Sequence, residues 1–339
     1  HVSTVILRSG RFGLACSRVA GTCMATVAAE FESGHTGPVL DTQLDDLGSR
    51  LATASADSLI KLWDVKNPEE PTFICDLSGH TGPVHQVSWA PAGTGAGALL
   101  VSVGADGRVF LWGPREDCQR WEVVHEEDLS RHGAVTAVSW APLAIGVAYA
   151  CALSDGTISV TMHQGTVRSG EVDVEHRWHS QSFAVHKGKA SAVSWASAVA
   201  PPKPGGLVGA CLASAGEDGV RVWHILEVQG RFQEEELERP LDPKPEDAVR
   251  DVAWRPWDGC GDMLAFATGK RVSFLSRPDS SSGWSKEEVA MAQEVWKLEW
   301  QPMGSQLLAT CGEKEYRCFL LKQQLRGKWD VIDVTGATV

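Results

Sequence analysis

Gly79-His80-Thr81-Gly82-Pro83-Val84 opens the stretch that decides the fold. It continues through Val87-Ser88-Trp89-Ala90-Pro91 and Leu99-Leu100-Val101-Ser102-Val103-Gly104-Ala105-Asp106-Gly107, and closes at Val109-Phe110-Leu111-Trp112. The stretch places a His before an apolar run that ends in Trp. Small residues then lead into an Asp-Gly turn, and an alternating run ends in a second Trp. Period-2 alternation bounded by turn residues predicts strands.

The same order recurs along the chain. The residue that closes the first run is Leu44, then Trp89, Trp140, Trp195, Trp254 and Trp300. Each leads into a small-residue run such as Leu51-Ala52-Thr53-Ala54-Ser55 or Leu212 to Gly216. Units of roughly 45–60 residues built this way are the pattern of WD-type propeller blades. The predicted fold class is therefore all-β, a six-bladed WD-repeat β-propeller over residues 26–335, with blades near 35–78, 79–130, 131–184, 185–240, 245–292 and 293–335. A fourth, polar stretch ends each unit, as in Trp121-Glu122-Val123-Val124 and Trp329-Asp330-Val331-Ile332. Charge on an outer strand discourages pairing with other chains. The segment from Ser285 to Gln293 is too short for a stable helix and reads as a loop or single turn.

The recurring polar residues have a structural use. A His before the first strand, a Ser or Thr in the second, the Asp of the turn and the Trp of the third can form one hydrogen-bonded set that satisfies buried polar groups. The first blade supplies His35, Thr53, Asp57 and Trp63, and the second His80, Ser102, Asp106 and Trp112. The fourth supplies His186, Ser214, Asp218 and Trp223, with its Asp-to-Trp spacing one residue short. The third keeps His132 and Asp155 but ends at Thr161. The fifth and sixth carry Gly269-Lys270-Arg271 and Gly312-Glu313-Lys314 in their turns, so they must rely on core packing and are expected to be less rigid.

A chain of 339 residues would ordinarily suggest about two domains, but a repeat array can use all of it as one. The net charge of −12 argues against a general nucleic-acid binder, which needs a basic stripe. It also disfavours direct contact with an acidic membrane surface. Nine cysteines, an odd number without C-x-x-C spacing, fit reduced thiols better than a disulfide framework. No run approaches the ~18 apolar residues of a membrane span. Residues 1–25 hold Arg8, Arg11 and Arg18 and no acid, and read as a disordered extension rather than a transit peptide. The run Thr26-Val27-Ala28-Ala29 is expected to pair with the last blade.

Every candidate catalytic group has a place in the repeat. His35, His80, His132 and His186 occupy its His position, and Asp106, Asp155 and Asp218 its turn. A zinc site at Cys311 and Cys318 would lack further ligands. Gly104-Ala105-Asp106-Gly107 is not a phosphate loop, since no Lys-Ser/Thr follows. Glu234-Glu235-Glu236 reads as a solvated outer strand, with a basic partner as the alternative. Ala200 to Gly206 and Leu241 to Glu246 read as surface loops, the first of them mobile.

Gly79 to Ala90, Ala192-Val193-Ser194-Trp195-Ala196, Val249 to Trp254, Val295 to Trp300 and Gly327 to Val334 resemble the small propeller subunit of the COPII outer coat. Leu153 to Ser159, where the third blade lacks its Trp, is similar to that family's own variant. The resemblance runs in order from about Thr26 to Val334. It implies a non-enzymatic scaffold without a cofactor. Its propeller stays open, and a partner inserts a seventh blade between the sixth and the first. The implied partners are the large COPII outer-coat subunit, a blade-donating nucleoporin of the nuclear pore Y-complex and a nutrient-signalling complex. The implied locations are the cytoplasmic face of the endoplasmic reticulum, the vesicle coat and the nuclear pore, with membrane contact indirect. Unpaired edges need a cover, and strand addition supplies one. Val27, Val39, Leu44, Leu298, Trp300 and Leu320 are the residues expected to face the partner. The rivals are the sister nucleoporin propeller and a closed WD-repeat adaptor. A propeller enzyme would need titratable groups converging on the central channel, and the sequence offers none beyond the repeat's own set.

Overall fold

Six four-stranded sheets carry the chain, each a meander in which every strand pairs antiparallel with its sequence neighbour. The computed structural model describes residues 4–8, 27–67, 69–91, 98–115, 120–142, 145–163, 178–203, 207–228, 231–238, 248–256, 261–278, 282–301, 304–312, 316–324 and 328–335. Two strands come first, β1 (Thr4–Arg8) and β2 (Val27–Glu32), paired with each other. Blade one is β3 (Val39–Leu44), β4 (Arg50–Ser55), β5 (Leu59–Asp64) and β6 (Thr72–Ser78). Blade two is β7 (Val84–Trp89), β8 (Leu100–Gly104), β9 (Arg108–Pro114) and β10 (Trp121–Asp128). Blade three is β11 (Val135–Trp140), β12 (Ala148–Leu153), β13 (Thr157–His163) and β14 (Trp178–Ala184). Blade four is β15 (Ala190–Lys203), β16 (Leu207–Gly216), β17 (Gly219–Val228) and β18 (Arg231–Glu238). Blade five is β19 (Val249–Trp254), β20 (Asp262–Thr268), β21 (Arg271–Arg277) and β22 (Ser285–Ala290). Blade six is β23 (Val295–Trp300), β24 (Gln306–Gly312), β25 (Tyr316–Gln323) and β26 (Trp329–Asp333).

The burial of each strand follows from its place. β8 is buried along its whole length because both its faces meet neighbouring blades, whereas the outer β10 alternates between exposed and half-buried. The first strand of every blade carries a register shift near its start, as between Val84 and Gln86 or between Val295 and Lys297. Such a bulge re-aims the extra side chain. The bulged residues are Leu40, His85, Thr136, Ser191, Arg250 and Trp296.

Five apolar cores lie between successive blades. Ala52, Ile60 and Leu62 of blade one meet Val87, Trp89 and Trp112 of blade two. Leu111 and Val103 meet Trp140 and Tyr149, and Ala150 and Val160 meet Trp195 and Trp223. Val222 and Ala213 meet Phe266 and Trp254, and Phe274 and Met263 meet Trp300 and Leu307. Blade five and blade six, which lack most of the polar set, are joined by aromatic packing. Phe274 stacks on Trp329 at 3.7 Å and 7°, and Trp300 sits edge-on to both.

Three expectations change. Ser285 to Ala290 is a strand, hidden in the sequence because an outer strand with little buried surface needs no apolar alternation. Residues 1–25 are not wholly irregular, since Thr4–Arg8 forms β1; it takes the edge of β2, so Val27–Ala29 does not pair with the last blade. The insertion after Trp195 continues the strands of blade four, with Val199 opposite Ala210 and Lys203 opposite Leu207. Residues 204–206, Leu241 to Glu246 and Glu313-Lys314 lie outside the described residues. Among the described residues the five cysteines are free thiols.

Phe274→Ala should lower stability by about 3–5 kcal/mol, the usual cost of deleting a buried aromatic ring. The urea midpoint reads it, and the accessibility of Trp329 to a fluorescence quencher should rise with it.

Candidate partner-binding seam

The polar sets are assembled in three blades. In blade two His80 Nδ1 lies 3.0 Å from both Asp106 carboxylate oxygens, and His80 Nε2 is 2.9 Å from Ser102 Oγ. Trp112 Nε1 donates to the same Oγ at 2.9 Å. The consistent arrangement has Nδ1–H donating to the carboxylate and the Ser hydroxyl donating to Nε2. Blade one repeats it with His35, Asp57, Thr53 and Trp63. Blade four repeats it with His186, Asp218, Ser214 and Trp223 despite its shorter spacing, because Gly216 pairs directly with Gly219 across a two-residue turn. The fit leaves no room at Gly104, where a Cβ would lie 2.9 Å from His80 Nδ1 and 3.0 Å from Asp106 Oδ1.

Burial holds the imidazoles of His80 and His186 below their ordinary range, against the opposing pull of Asp106 and Asp218. For Asp57, Asp106 and Asp218 burial acts upward, but the backbone N–H groups and the His beside each carboxyl outweigh it and hold it low. In blades two and four neutral His and ionised Asp are thus the native forms, and the sets are structural ties.

Blade three is built differently. His132 and Asp155 still meet at 2.7 Å, but buried Cys151 stands where the Ser would be. Glu127 of β10 takes over as acceptor, receiving Thr161 Oγ1 at 2.7 Å, Tyr149 Oη at 3.2 Å and Ser180 Oγ at 2.5 Å. Nothing in the repeat pattern pointed to Glu127, whose neighbours come from another blade.

A second regularity runs around the ring. The first strand of each blade is a sheet edge, and the blade before it supplies acceptors to its N–H groups. Val87 N–H donates to Asp41 at 3.1 Å and Trp89 N–H to Gln43 at 2.6 Å. Val138 donates to Gln86, Trp195 to Ser139, Trp254 to Ser194 and Leu298 to Asp251. The indoles of Trp89, Trp140 and Trp300 donate to Gln43, Ser88 and Ala253 carbonyls. Bulged residues add bonds to the following blade, His85 to Val135 O and Thr136 to Ala190 O.

The passage from blade six to blade one breaks this rule. The residues in the supplying positions are Lys297, which has no acceptor, and Glu299, whose carboxylate receives no N–H of β3 among the described residues, and the receiving anchor is Leu44, which has no indole. The described link is an ion pair between Lys297 and Asp41. Pairing with Asp41 holds the Lys297 ammonium above its usual range although burial opposes it, while burial pushes the nearby Asp251 up to about 6. β3 packs along β7, and so on through β23, with no comparable packing of β23 on β3 among the described residues. The faces that blades one and six turn to this seam carry separate apolar clusters. One is Leu51, Trp63 and Val65 with Leu44 and Phe31. The other is Leu320 and Val334 with Leu308, Cys318 and Ile332.

Of the residues expected to face a partner, Leu44 and Leu320 belong to these seam clusters. Leu298 and Trp300 do not, because alternation along β23 turns them into the core with blade five, and Trp300 donates to Ala253 O there. Val39 is half-buried at the start of β3, and Val27 begins β2. Ile332, half-buried, and Trp63, which was expected only in the polar set of blade one, also belong to the seam. The signal was their register, since Ile332 lies opposite Leu320.

Ser102→Ala should strand two buried groups, His80 Nε2 and Trp112 Nε1, at about 1–3 kcal/mol each. Thermal unfolding checks this. On acidification the unfolded chain protonates its histidines below about pH 6.5 while His80 and His186 resist, so stability should decline from there and again below about pH 4, where the unfolded carboxyls protonate first. Stability rising between pH 7 and 5 would contradict the assignment.

The model of the WD domain, G-beta repeat, matches residues 21–64 and 71–113. A protein transport protein SEC13 of Cryptococcus neoformans is 31% identical over 92% of this chain and 98% of its own length. Its counterpart in Mycosarcoma maydis is 30% identical over 89% and 93%, and that of Emericella nidulans 30% over 91% and 98%. With six WD-type blades in one ordered array and relatives aligned over about nine-tenths of the chain, this chain belongs to the SEC13 family.

Proposed function

We propose that this protein is a non-catalytic scaffold that completes its ring by accepting a blade from a partner at the seam between blades six and one. The observation that carries the reading is the break in the acceptor rule there. Five junctions are fastened by backbone N–H bonds and a shared apolar core, and the sixth by the Lys297–Asp41 pair between two unjoined apolar faces. Strand addition would cover those faces and satisfy the edge of β3. The relatives' names supply the process, protein transport. The partner we assign is the large COPII outer-coat subunit, at the cytoplasmic face of the endoplasmic reticulum. A blade-donating nucleoporin of the Y-complex and a nutrient-signalling complex are further users of the same seam. No chemistry is assigned, because the His–Asp pairs of blades one, two and four are spent on their own blades.

The ion pair across the seam favours a second reading, a ring that closes by itself and serves as a WD-repeat adaptor. Affinity capture from the organism's own cells with mass spectrometry separates the two. Stoichiometric recovery of the large outer-coat subunit or a Y-complex nucleoporin supports the scaffold, and the ratio divides its roles. Recovery of neither, with a stable monomer, supports the closed adaptor. Ile332→Glu should abolish the capture while leaving the unfolding midpoint nearly unchanged, since the half-buried side chain faces the seam and not the core with blade five.

A further inference from the structure

We propose that acceptance of a blade at the seam is coupled to the release of protons from carboxyls clustered on the first strands, with Lys297 passing from Asp41 to Asp251 and Glu299 as the junction opens. The inference rests on the blade-accepting reading above and says what regulates it.

Alternation places the cluster. Leu298 and Trp300 point into the core with blade five, so Lys297 and Glu299 share the opposite face of β23, toward blade one. Asp251 reaches β23 from blade five. It accepts the Leu298 N–H at 2.7 Å and the Val252 N–H at 2.9 Å. Asp41 of blade one accepts the Val87 N–H at 3.1 Å with one oxygen and pairs with Lys297 through the other. One ammonium thus answers to three carboxyls that come from three successive blades, and all three attract it. The other charged and polar groups beside it are already occupied or do not titrate. His85 of β7 is bonded to Val135 O and Arg250 of β19 to Glu294, and the remaining supplying side chains are Gln43, Gln86, Ser139 and Ser194.

Three carboxylates cannot all be balanced by one ammonium. Loss of water within the ring pushes Asp251 up to about 6 and raises Glu299 as well, although the Glu299 side chain opens on the channel. Lys297 acts against both rises, and the like charge of Asp41 adds to both. Inserting a blade parts Asp41 from Lys297. Asp251 and Glu299 then lose a repelling neighbour and gain a larger share of the ammonium, and both changes favour their ionised forms. The opened junction therefore holds fewer protons than the closed one. By linkage, insertion is favoured as pH rises and opposed as pH falls through about 6. In acid Asp41 is the ionised partner left to Lys297, and parting the two strands the ammonium.

The affinity of the full chain for the purified large outer-coat subunit, measured against pH, tests this. If Asp251 drops from about 6 to the ordinary carboxylate range on insertion, binding should weaken about fourfold between about pH 7.5 and about pH 5.5, and further as Glu299 contributes. The double variant Asp251→Asn, Glu299→Gln holds both groups neutral, and Asn keeps an acceptor for the Leu298 N–H. At about pH 7.5 it should bind as weakly as the unaltered chain does in acid, and it should lose that part of the pH dependence. Parallel profiles for the two proteins overturn the proposal, and so does tighter binding by the variant at about pH 7.5. Unfolding of the chain alone supplies a second readout. A carboxyl raised to about 6 by folding costs stability once it is ionised, so Asp251→Asn should raise the urea midpoint at about pH 7.5, by a margin that shrinks toward about pH 5. A margin that does not change with pH overturns the charged cluster. If the unaltered chain binds at no pH while the margin shrinks as expected, the blade-accepting reading falls and the coupling with it, but the cluster stands.

Discussion

The fold depends on what happens to the channel-side edge of each first strand. An unpaired edge N–H that loses water without gaining an acceptor costs free energy comparable to a lost hydrogen bond. Here the preceding blade supplies the acceptor: Asp41 and Gln43 for blade two, Gln86 for three, Ser139 for four, Ser194 for five and Asp251 for six. The bonds run one way around the ring, and so they fix order and direction as well as spacing. The bulge in each first strand serves the same end by turning one more side chain toward the next blade. At blade six Lys297 has no acceptor and, among the described residues, Glu299 in the second supplying position receives no N–H of β3, which sets the sixth junction apart from the other five.

Within a blade two solutions to one packing problem coexist. Blades one, two and four tie turn to body through a buried His, whose neutral form needs a donor on one nitrogen and an acceptor on the other. Blade three keeps the His–Asp contact but moves the remaining polar demand to Glu127, a carboxylate from the neighbouring sheet. At the junction of blades five and six the stacked Phe274 and Trp329 do the joining. A ring of such units tolerates the mixture because each blade answers mainly to its two neighbours.

How much of this was legible beforehand follows from which forces are periodic. The anchors Trp89 to Trp300 and the sets around His35, His80 and His186 were readable because each is repeated at fixed spacing. Ser285 to Ala290 was not, because an outer strand with most side chains in water has no apolar period to display. The seam was half legible. Leu44 and Leu320 could be chosen as apolar residues of the terminal blades, yet Leu298 and Trp300 look the same in a list and point the other way. Only the register of β23 against β24 tells the faces apart. Glu127 carried no signal at all, since its role exists only once β10 is folded beside β13 and β14.

The kind of link at the seam bears on whether it can open. The lysine of the Lys297–Asp41 pair is 40% exposed but the aspartate only 4%, so parting it leaves a buried carboxylate with the Val87 N–H as its remaining described partner. The other five junctions combine a dry apolar core with backbone N–H bonds, and separating any one of them would strand both. Among the described residues the sixth junction therefore has a single ion pair to separate, where the other five have both. That place is also where two apolar faces, around Trp63 and around Leu320, have no common core. A junction held by one ion pair, with apolar faces that share no core, fits the proposed insertion of a strand better than a sealed ring does.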